Sequence, residues 1–301
     1  MKLRLNGKDP FMPVNVFLVI LLFLTTSTFA QRKEEFRSYF RISGVPYTDS
    51  KNVKANQMDV YMPKKGSMSP VVIWIHNGYW TSGDKSDVDS KPEFFTSKGY
   101  IFISLNHRLS PEVSYIQQIQ DVAVAITWIH KNIIHYSGDK EKLFLMGYGT
   151  GAHLATHIMV QEKYLSSLSA SRKMIKGVVT MEGAGFDIPA VYEVQSNKFR
   201  EGCEEAIGKS KRLWINASPV NYVTPDSTIP PFMITYAGSD TPSEAEAKSL
   251  SLKLTKANIK NKMVGYSRKN SNSINRDLGK EGDKTGDEIL TFFYECLRLS
   301  E

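Results

Sequence analysis

Short apolar runs alternate along the chain with segments in which apolar residues recur at every third or fourth position. Residues 70–76 are almost continuously apolar, which is typical of a strand buried on both faces of a sheet. Ile119, Val122 and Ile126 belong to a series with helical spacing that lines one face of a helix. The same patterns predict strands at residues 57–63, 70–76, 99–106, 143–146, 175–181, 231–236 and 262–266, and helices at residues 116–133, 152–159, 243–257 and 285–299.

Strands that alternate with helices predict an α/β fold with a mainly parallel central sheet and helices on both of its faces. The chain of 301 residues is long enough to bury a full core. We therefore expect one domain over residues 55–301, preceded by a polar lead-in at residues 31–54. Residues 188–228 are mixed in pattern, and one or two short helices are expected there, covering the candidate site.

A sharp turn follows the apolar strand at residues 143–146. The sequence Gly-Tyr-Gly-Thr-Gly at residues 147–151 leads from this strand into a helical segment. A strand, a tight turn between small residues and a helix form the setting of the G-x-S-x-G nucleophile elbow, in which a strained turn presents the central side chain to a substrate. Here the central residue is Gly149, so the scaffold of the elbow is present and its nucleophile is absent.

The motifs around this turn resemble those of the α/β-hydrolase esterases. His-Asn-Gly-Tyr-Trp at residues 76–80, Arg-Leu-Ser-Pro at residues 108–111 and the elbow follow one another in the order found in small exported carboxylesterases related to acetyl and feruloyl esterases. Kynurenine formamidase is a more distant likeness. The resemblance covers roughly residues 55–298, and it implies an α/β-hydrolase fold with a Ser-His-Asp triad and an oxyanion hole.

Carried over residue by residue, the resemblance places the oxyanion hole at Asn77, Gly78 and Thr150, whose backbone N–H groups would face the developing negative charge. Asn77 replaces a glycine of the family pattern, and because backbone donors survive most side-chain changes we expect this to be a mild departure. Asp240 matches the triad acid, although an aspartate before a helix also serves as a turn or cap residue.

Two of the three triad positions are degenerate. Gly149 stands at the nucleophile position and has no atom that could attack an ester. Ser271 stands where the family has its histidine, and a serine cannot act as a base near neutral pH. All six histidines lie at or before residue 157, so none follows the acid position.

The resulting hypothesis is a secreted pseudoenzyme that keeps a pocket for a small ester-like or acyl ligand. The alternative is an active carboxylic-ester hydrolase with a non-standard nucleophile. Thr150 is a poor substitute because its side chain should point away from the apex of the turn, and Glu182 could in principle form a carboxylate pair with Asp240. The third possibility, an interaction module for an acidic partner, rests on surface charge alone.

The N-terminal 30 residues have the layout of a signal peptide. A basic stretch precedes an apolar run at residues 14–24, and Thr28 and Ala30 are small residues at the −3 and −1 positions of a cleavage site. The run is short for a membrane span. We expect cleavage after Ala30, a secreted or periplasmic domain and no stable membrane span after cleavage; an uncleaved N-terminal membrane anchor is the alternative.

Charge and cysteine content add little to this interpretation. The formal charge is +7, of which residues 1–30 contribute +2 through three basic residues and one acidic residue. The remaining +5 includes a late basic cluster, which is more simply interpreted as a solvated face than as a binding site. Its members are Lys253, Lys256, Lys260, Lys262, Arg268 and Lys269. Cys203 and Cys296 could pair in an exported protein or remain buried thiols.

Other kinds of chemistry have no support in the sequence. There is no CxxC or HExxH motif, no dinucleotide fingerprint and no phosphate-binding loop, so we expect no metal, no cofactor and no nucleic-acid partner. Asn216 begins the glycosylation sequon Asn-Ala-Ser, although the proline that follows it at residue 219 lowers the chance that a eukaryotic host would use it.

Overall fold

The structure is a computed structural model that describes residues 33–49, 54–239 and 241–299. Over these residues nine strands form one sheet in the order β1-β2-β3-β5-β4-β6-β7-β8-β9. The strands are β1 (Lys33–Glu35), β2 (Tyr39–Pro46), β3 (Gln57–Pro63), β4 (Ser69–Ile75), β5 (Ile101–Leu105), β6 (Gly138–Tyr148), β7 (Ile175–Met181), β8 (Phe232–Ala237) and β9 (Asn261–Tyr266). From β5 to β9 every neighbouring pair is parallel, whereas β1, β2 and β3 join antiparallel at one edge.

Helices connect the parallel strands and cover the sheet. They are α1 (Lys91–Ser97), α2 (Tyr115–Asn132), α3 (Thr150–Val160), α4 (Lys163–Ser166), α5 (Ile188–Val191), α6 (Asn197–Ala206), α7 (Lys211–Ala217), α8 (Pro242–Lys256), α9 (Ser271–Arg276) and α10 (Lys284–Arg298). Short 3-10 turns lie at Ile133–Tyr136, Arg172–Met174, Tyr192–Val194 and Pro219–Tyr222. Among the described residues no helix is both long and apolar enough to cross a lipid bilayer.

Both faces of the parallel sheet are buried, which explains the continuous apolar runs in the sequence. Along β4, Ile73 belongs to the core cluster on the face that also contains α2, α3 and α8, whereas Trp74 belongs to the cluster on the face of α1 and α10. On the second face the ring of Phe293 stacks on that of Phe144, with centroids 4.0 Å apart. Burying each such side chain stabilises the fold by roughly 1.5–3 kcal/mol.

The α/β prediction is confirmed, and the central strands lie within two or three residues of their predicted bounds except β6, which begins five residues earlier, at Gly138. The lead-in differs from its prediction, because β1 and β2 extend the sheet within residues 31–54. The described residues form one compact unit. The predicted signal peptide at residues 1–30 lies outside the described residues.

Several local expectations have a structural outcome. Cys203 and Cys296 are both buried thiols and are not joined to each other, so the disulfide alternative is wrong. Asn216 is exposed in the last turn of α7, whereas Ser218, the third residue of the sequon, is fully buried. In the basic cluster, Lys269 forms an ion pair with Asp283, and the other five side chains are exposed.

Candidate active site

The turn between β6 and α3 has the backbone geometry of a nucleophile elbow. Gly149 has φ +56° and ψ −119°, a backbone conformation that residues other than glycine rarely adopt. Its N–H donates to Met181 O at 2.9 Å, which joins the turn to the end of β7. A Cβ atom at Gly151 would lie 2.3 Å from Ile75 O, so the small residue is needed for α3 to begin against β4.

Asn77, in the loop that follows β4, places its side-chain amide over the apex of this turn. Its Oδ1 accepts the backbone N–H of Thr150 at 3.0 Å and the Thr150 hydroxyl at 3.1 Å. The N–H of Tyr79 also points at this oxygen, with a longer separation of 3.5 Å. A Cβ atom built on Gly149 would lie 2.3 Å from Asn77 Cγ. The amide therefore fills the space directly above the nucleophile position.

This loop is held rigidly by its own backbone and by one tryptophan. A Cβ atom at Gly78 would lie 1.7 Å from Ser82 O, so only glycine fits there. The buried indole of Trp80 donates to His153 Nδ1 at 3.3 Å, and Gln118 Nε2 donates to Trp80 O at 2.7 Å. Because Trp80 and its hydrogen-bond partners are buried, the packing of the fold determines the position of the Asn77 loop.

Ser271, at the base position, lies at the start of α9 and contacts a carboxylate. Its hydroxyl donates to Glu182 Oε2 at 2.8 Å, and Glu182 Oε1 accepts the N–H of Ala237. Burial raises the pKa of Glu182, while the hydrogen bond from Ser271 opposes that rise. Tyr148 OH donates to Ser271 O at 2.8 Å, which attaches α9 to the end of β6. The carboxylate in contact with the base position is thus Glu182.

A buried lysine also holds helix α9 in place through a hydrogen bond to its backbone. Lys91 has no exposed surface, and its Nζ donates to Asn275 O at 3.0 Å and lies 4.8 Å from the centre of the Trp74 ring system. Burial lowers the pKa of Lys91 to about 8, with Asp89 partly restoring it. Asn270 caps α9 by accepting two backbone N–H groups, so a segment rich in serine and asparagine can still start a helix.

The other predicted site residues have different outcomes. Asp240 lies outside the described residues, so its role as the triad acid stays a prediction. Thr150 is 3% exposed, and its hydroxyl is directed to Asn77 rather than into the cleft. Gly78 lets the loop fold tightly, because a side chain at this position would collide with the backbone of Ser82. The sequence-based assignment of the oxyanion hole does not include Tyr79, whose N–H converges with that of Thr150 on the Asn77 oxygen.

None of the six histidines, all of which lie within the described ranges, lines the cleft. His76 and His107 are buried and stacked with centroids 4.9 Å apart, and burial lowers the pKa of His107 to about 3. His153 and His157 both direct Nε2 to Ala217 O, at 2.7 and 2.8 Å. Burial lowers the pKa of both, that of His157 to about 4. These four side chains are buried and packed or hydrogen-bonded within the fold, away from the cleft.

The cleft itself persists at the carboxyl ends of the parallel strands and has a volume of about 450 Å³. Its lining combines polar and apolar surface in equal measure and includes one cationic side chain among the described residues, Lys198. The lining residues are Asn77, Tyr79, Tyr148, Gly149, Glu182, Gly183, Ala184, Gln195, Lys198, Thr241, Pro242, Ser243, Ser271 and Asn272. Gln195 and Lys198 show that the segment 188–228, whose pattern is mixed in the sequence, forms one wall of the cleft.

The family model described as BD-FAE matches residues 58–254, more than half of the chain. The chain belongs to the BD-FAE family. This agrees with the resemblance drawn from the motifs, and with a sheet whose parallel strands carry the elbow and the Asn77 loop at their carboxyl ends.

Curated relatives of this BD-FAE chain include several esterases. A probable isoprenylcysteine alpha-carbonyl methylesterase of Arabidopsis thaliana is 24% identical over 70% of this chain and 47% of its own length. Esterase LipQ of Mycobacterium tuberculosis is 27% identical over 66% of this chain and 48% of its own length. Kynurenine formamidase of Danio rerio is 28% identical over 62% of this chain and 60% of its own length. The chain spans about half the length of the first two.

Solved structures show the same fold. Esterase B from Lactobacillus rhamnosis superposes with a TM-score of 0.71 at 18% identity, covering 89% of this chain and 89% of that one. A truncated carbohydrate esterase from gut microbiota has a TM-score of 0.69 at 20% identity, covering 88% of this chain and 99% of that one. Together with the BD-FAE match, these comparisons establish an α/β-hydrolase, esterase-like protein.

Proposed function

We propose that this BD-FAE chain is a pseudoesterase, a non-catalytic member of its family that retains a cleft for a small ligand. One observation carries the proposal. The apex of the elbow is Gly149, and the space above it holds the Asn77 amide instead of a nucleophile. The residue at the base position supports the same conclusion, because the Ser271 hydroxyl donates a hydrogen bond to Glu182 and a serine cannot act as a base for an attacking group at neutral pH.

The proposal is tested by measuring hydrolysis of a short-chain fluorogenic acetate by the purified chain. The matched variant is Asn77→Gly/Gly149→Ser/Ser271→His, which clears the apex and restores the nucleophile and the base. We expect the native chain to show no turnover above background and no labelling by a serine-directed phosphonate, whereas the variant becomes labelled. Robust turnover or labelling of the native chain would refute the proposal and would support a non-standard nucleophile.

The ligand part of the proposal rests on the retained cleft. A volume of about 450 Å³ accommodates a small molecule, and a lining that is half polar and half apolar favours an ester, acid or amide with a short apolar chain and a group that makes hydrogen bonds. We expect at least one compound from a set of short-chain carboxylates, amides and esters to raise the Tm of the native chain. Asn272→Trp, at the edge of the cleft, should abolish that shift, and Asn221→Trp, an exposed residue outside it, should not. No shift with any compound contradicts ligand binding.

We further propose that the domain is exported, on the basis of the basic and apolar N-terminal pattern and the small residues before Gln31. Expression of the full sequence in a host with a secretory pathway, followed by N-terminal sequencing, tests this. A mature N-terminus at Gln31 is expected. A full-length, membrane-bound product would instead support the anchor alternative.

A further inference from the structure

The Asn77 amide and a side chain at residue 149 compete for one volume. A Cβ atom on Gly149 would lie 2.3 Å from both Cγ and Oδ1 of Asn77 and 2.7 Å from its Nδ2. Carbon atoms do not approach so closely, so any residue other than glycine at position 149 requires the amide to move. The amide can move only by giving up the hydrogen bonds that hold it.

The atoms that hold the amide are those that would hold a substrate oxygen. In α/β-hydrolases the oxyanion hole combines the N–H after the nucleophile with an N–H from the loop at the end of a neighbouring strand. Here those two groups are the N–H of Thr150 and the N–H of Tyr79, and both point at Asn77 Oδ1. The Thr150 hydroxyl adds a third donor to the same oxygen.

We propose that Asn77 is a built-in occupant of the oxyanion hole. The inference rests on the proposed function and deepens it, because it names the group that closes the site. The amide oxygen takes the N–H donors that would otherwise stabilise a developing negative charge. Asn77 Nδ2 makes no hydrogen bond with another described residue, and Asn77 lines the cleft. A ligand therefore meets an amide N–H donor at the apex, and its carbonyl oxygen does not enter the hole.

The first experiment measures the competition by thermal unfolding of the full chain, independently of activity. Four proteins form the cycle: native, Gly149→Ala, Asn77→Gly and the double variant. The cost of a side chain at positive φ is present in both backgrounds and cancels. We expect Gly149→Ala to lower the Tm by about 4 °C more in the native background than in the N77G background, as the loss of about two hydrogen bonds implies. Equal drops in the two backgrounds would overturn the inference.

If Gly149→Ala does not fold, hydrogen exchange of the Thr150 amide decides the question. Asn77→Gly should accelerate this exchange at least tenfold relative to the native chain, because its acceptor is removed. Gln161→Ala, which removes a side-chain hydrogen bond at the far end of α3, is the control and should leave Thr150 unchanged. An unchanged Thr150 exchange rate in Asn77→Gly would show that Oδ1 does not hold this group.

The second experiment compares Gly149→Ser/Ser271→His with the triple variant that also carries Asn77→Gly. We expect kcat/KM for the fluorogenic acetate to be at least tenfold higher for the triple variant, because removing access to an oxyanion-hole donor costs about 10²–10³ in rate. A double variant as active as the triple variant would overturn the inference. If neither turns over, the unfolding cycle decides. Turnover by the native chain would refute the pseudoesterase proposal alone, since the unfolding cycle would still report on Asn77.

Discussion

Because of Glu246, the free energy of unfolding of the protein should fall as the pH rises, and the substitution Glu246→Gln should remove this part of the pH dependence. Its side chain is fully buried in α8, and its two carboxylate oxygens accept the N–H groups of Gly185 and Asp187, at 2.7 and 2.9 Å. These residues belong to the segment after β7, which also lines the cleft. Burial raises the pKa of Glu246 to about 7 from 4.5, even though these hydrogen bonds oppose the shift.

A folded-state pKa above the unfolded value means that the folded protein binds the proton more tightly. The contribution of Glu246 to stability is therefore fully present below pH 4.5 and is lost as the pH rises through 7. The difference between a pKa of 4.5 and one of about 7 corresponds to about 3 kcal/mol in total, most of which is lost between pH 5 and pH 8.

The test is urea unfolding, followed by tryptophan fluorescence, of the native chain and of Glu246→Gln from pH 5 to pH 8. The glutamine loses one N–H acceptor, which displaces its whole stability curve by a constant amount. The pH-dependent part is isolated by the difference between the two curves. We expect the stability of the native chain relative to Glu246→Gln to fall by about 2–3 kcal/mol across this range.

An exposed glutamate provides the control. Glu201→Gln, in α6, should give a curve parallel to that of the native chain. Parallel curves for Glu246→Gln and the native chain would refute the reasoning, because they would mean that Glu246 has the same pKa in the folded and unfolded states.

Buried polar groups elsewhere in the fold lead to three more expectations. Asp121→Ala should lower the free energy of unfolding by about 2–3 kcal/mol in urea titrations, because it removes the two carboxylate oxygens that bind Arg108 at 2.9 and 2.7 Å; a change below about 0.5 kcal/mol would contradict this. The ring C–H resonances of His107 and His157, whose pKa values burial lowers to about 3 and about 4, should stay constant from pH 5 to pH 8, and movement in that range would contradict their assignment as neutral. Burial raises the pKa of Cys203 to about 12, so neither cysteine should react with a thiol reagent until the protein unfolds, and rapid labelling of the native chain would be the opposite result.

The central part of the fold can be predicted from the sequence because strands that are buried on both faces of the sheet have continuous runs of apolar residues. Strands β4 and β5 have apolar residues at almost every position, and such runs are hard to place anywhere but inside a parallel sheet. Strand β2, the second strand from one edge of the sheet, has mostly half-buried residues and no continuous apolar run, so the sequence does not predict it. Helix α9 escapes prediction as well, because its stability comes from the Asn270 cap rather than from an apolar stripe.

At the site, the spacing of motifs along the chain identifies the residues at the triad positions, but it does not predict which residues they contact in the fold. Gly149 and Ser271 are recognisable because each stands at a fixed distance from neighbouring motif residues. The hydrogen bond between Ser271 and Glu182 joins residues 89 positions apart, and no local pattern reports it. The expectation of a mild effect for Asn77 concerns its backbone donor alone, and it does not address the direction of the side chain, which depends on tertiary packing.

The crowding between Asn77 and residue 149 also restricts the order in which sequence changes can occur. While Asn77 is in place, a serine that returns to position 149 must displace an amide held by the Thr150 N–H and hydroxyl. A glycine at position 77 removes that barrier, but it leaves Gly149 without an atom that could attack an ester. Under the proposed function neither substitution alone yields a catalytic gain, so the effects of residues 77 and 149 are epistatic: a serine at position 149 is accommodated only in a chain that has already lost the Asn77 amide.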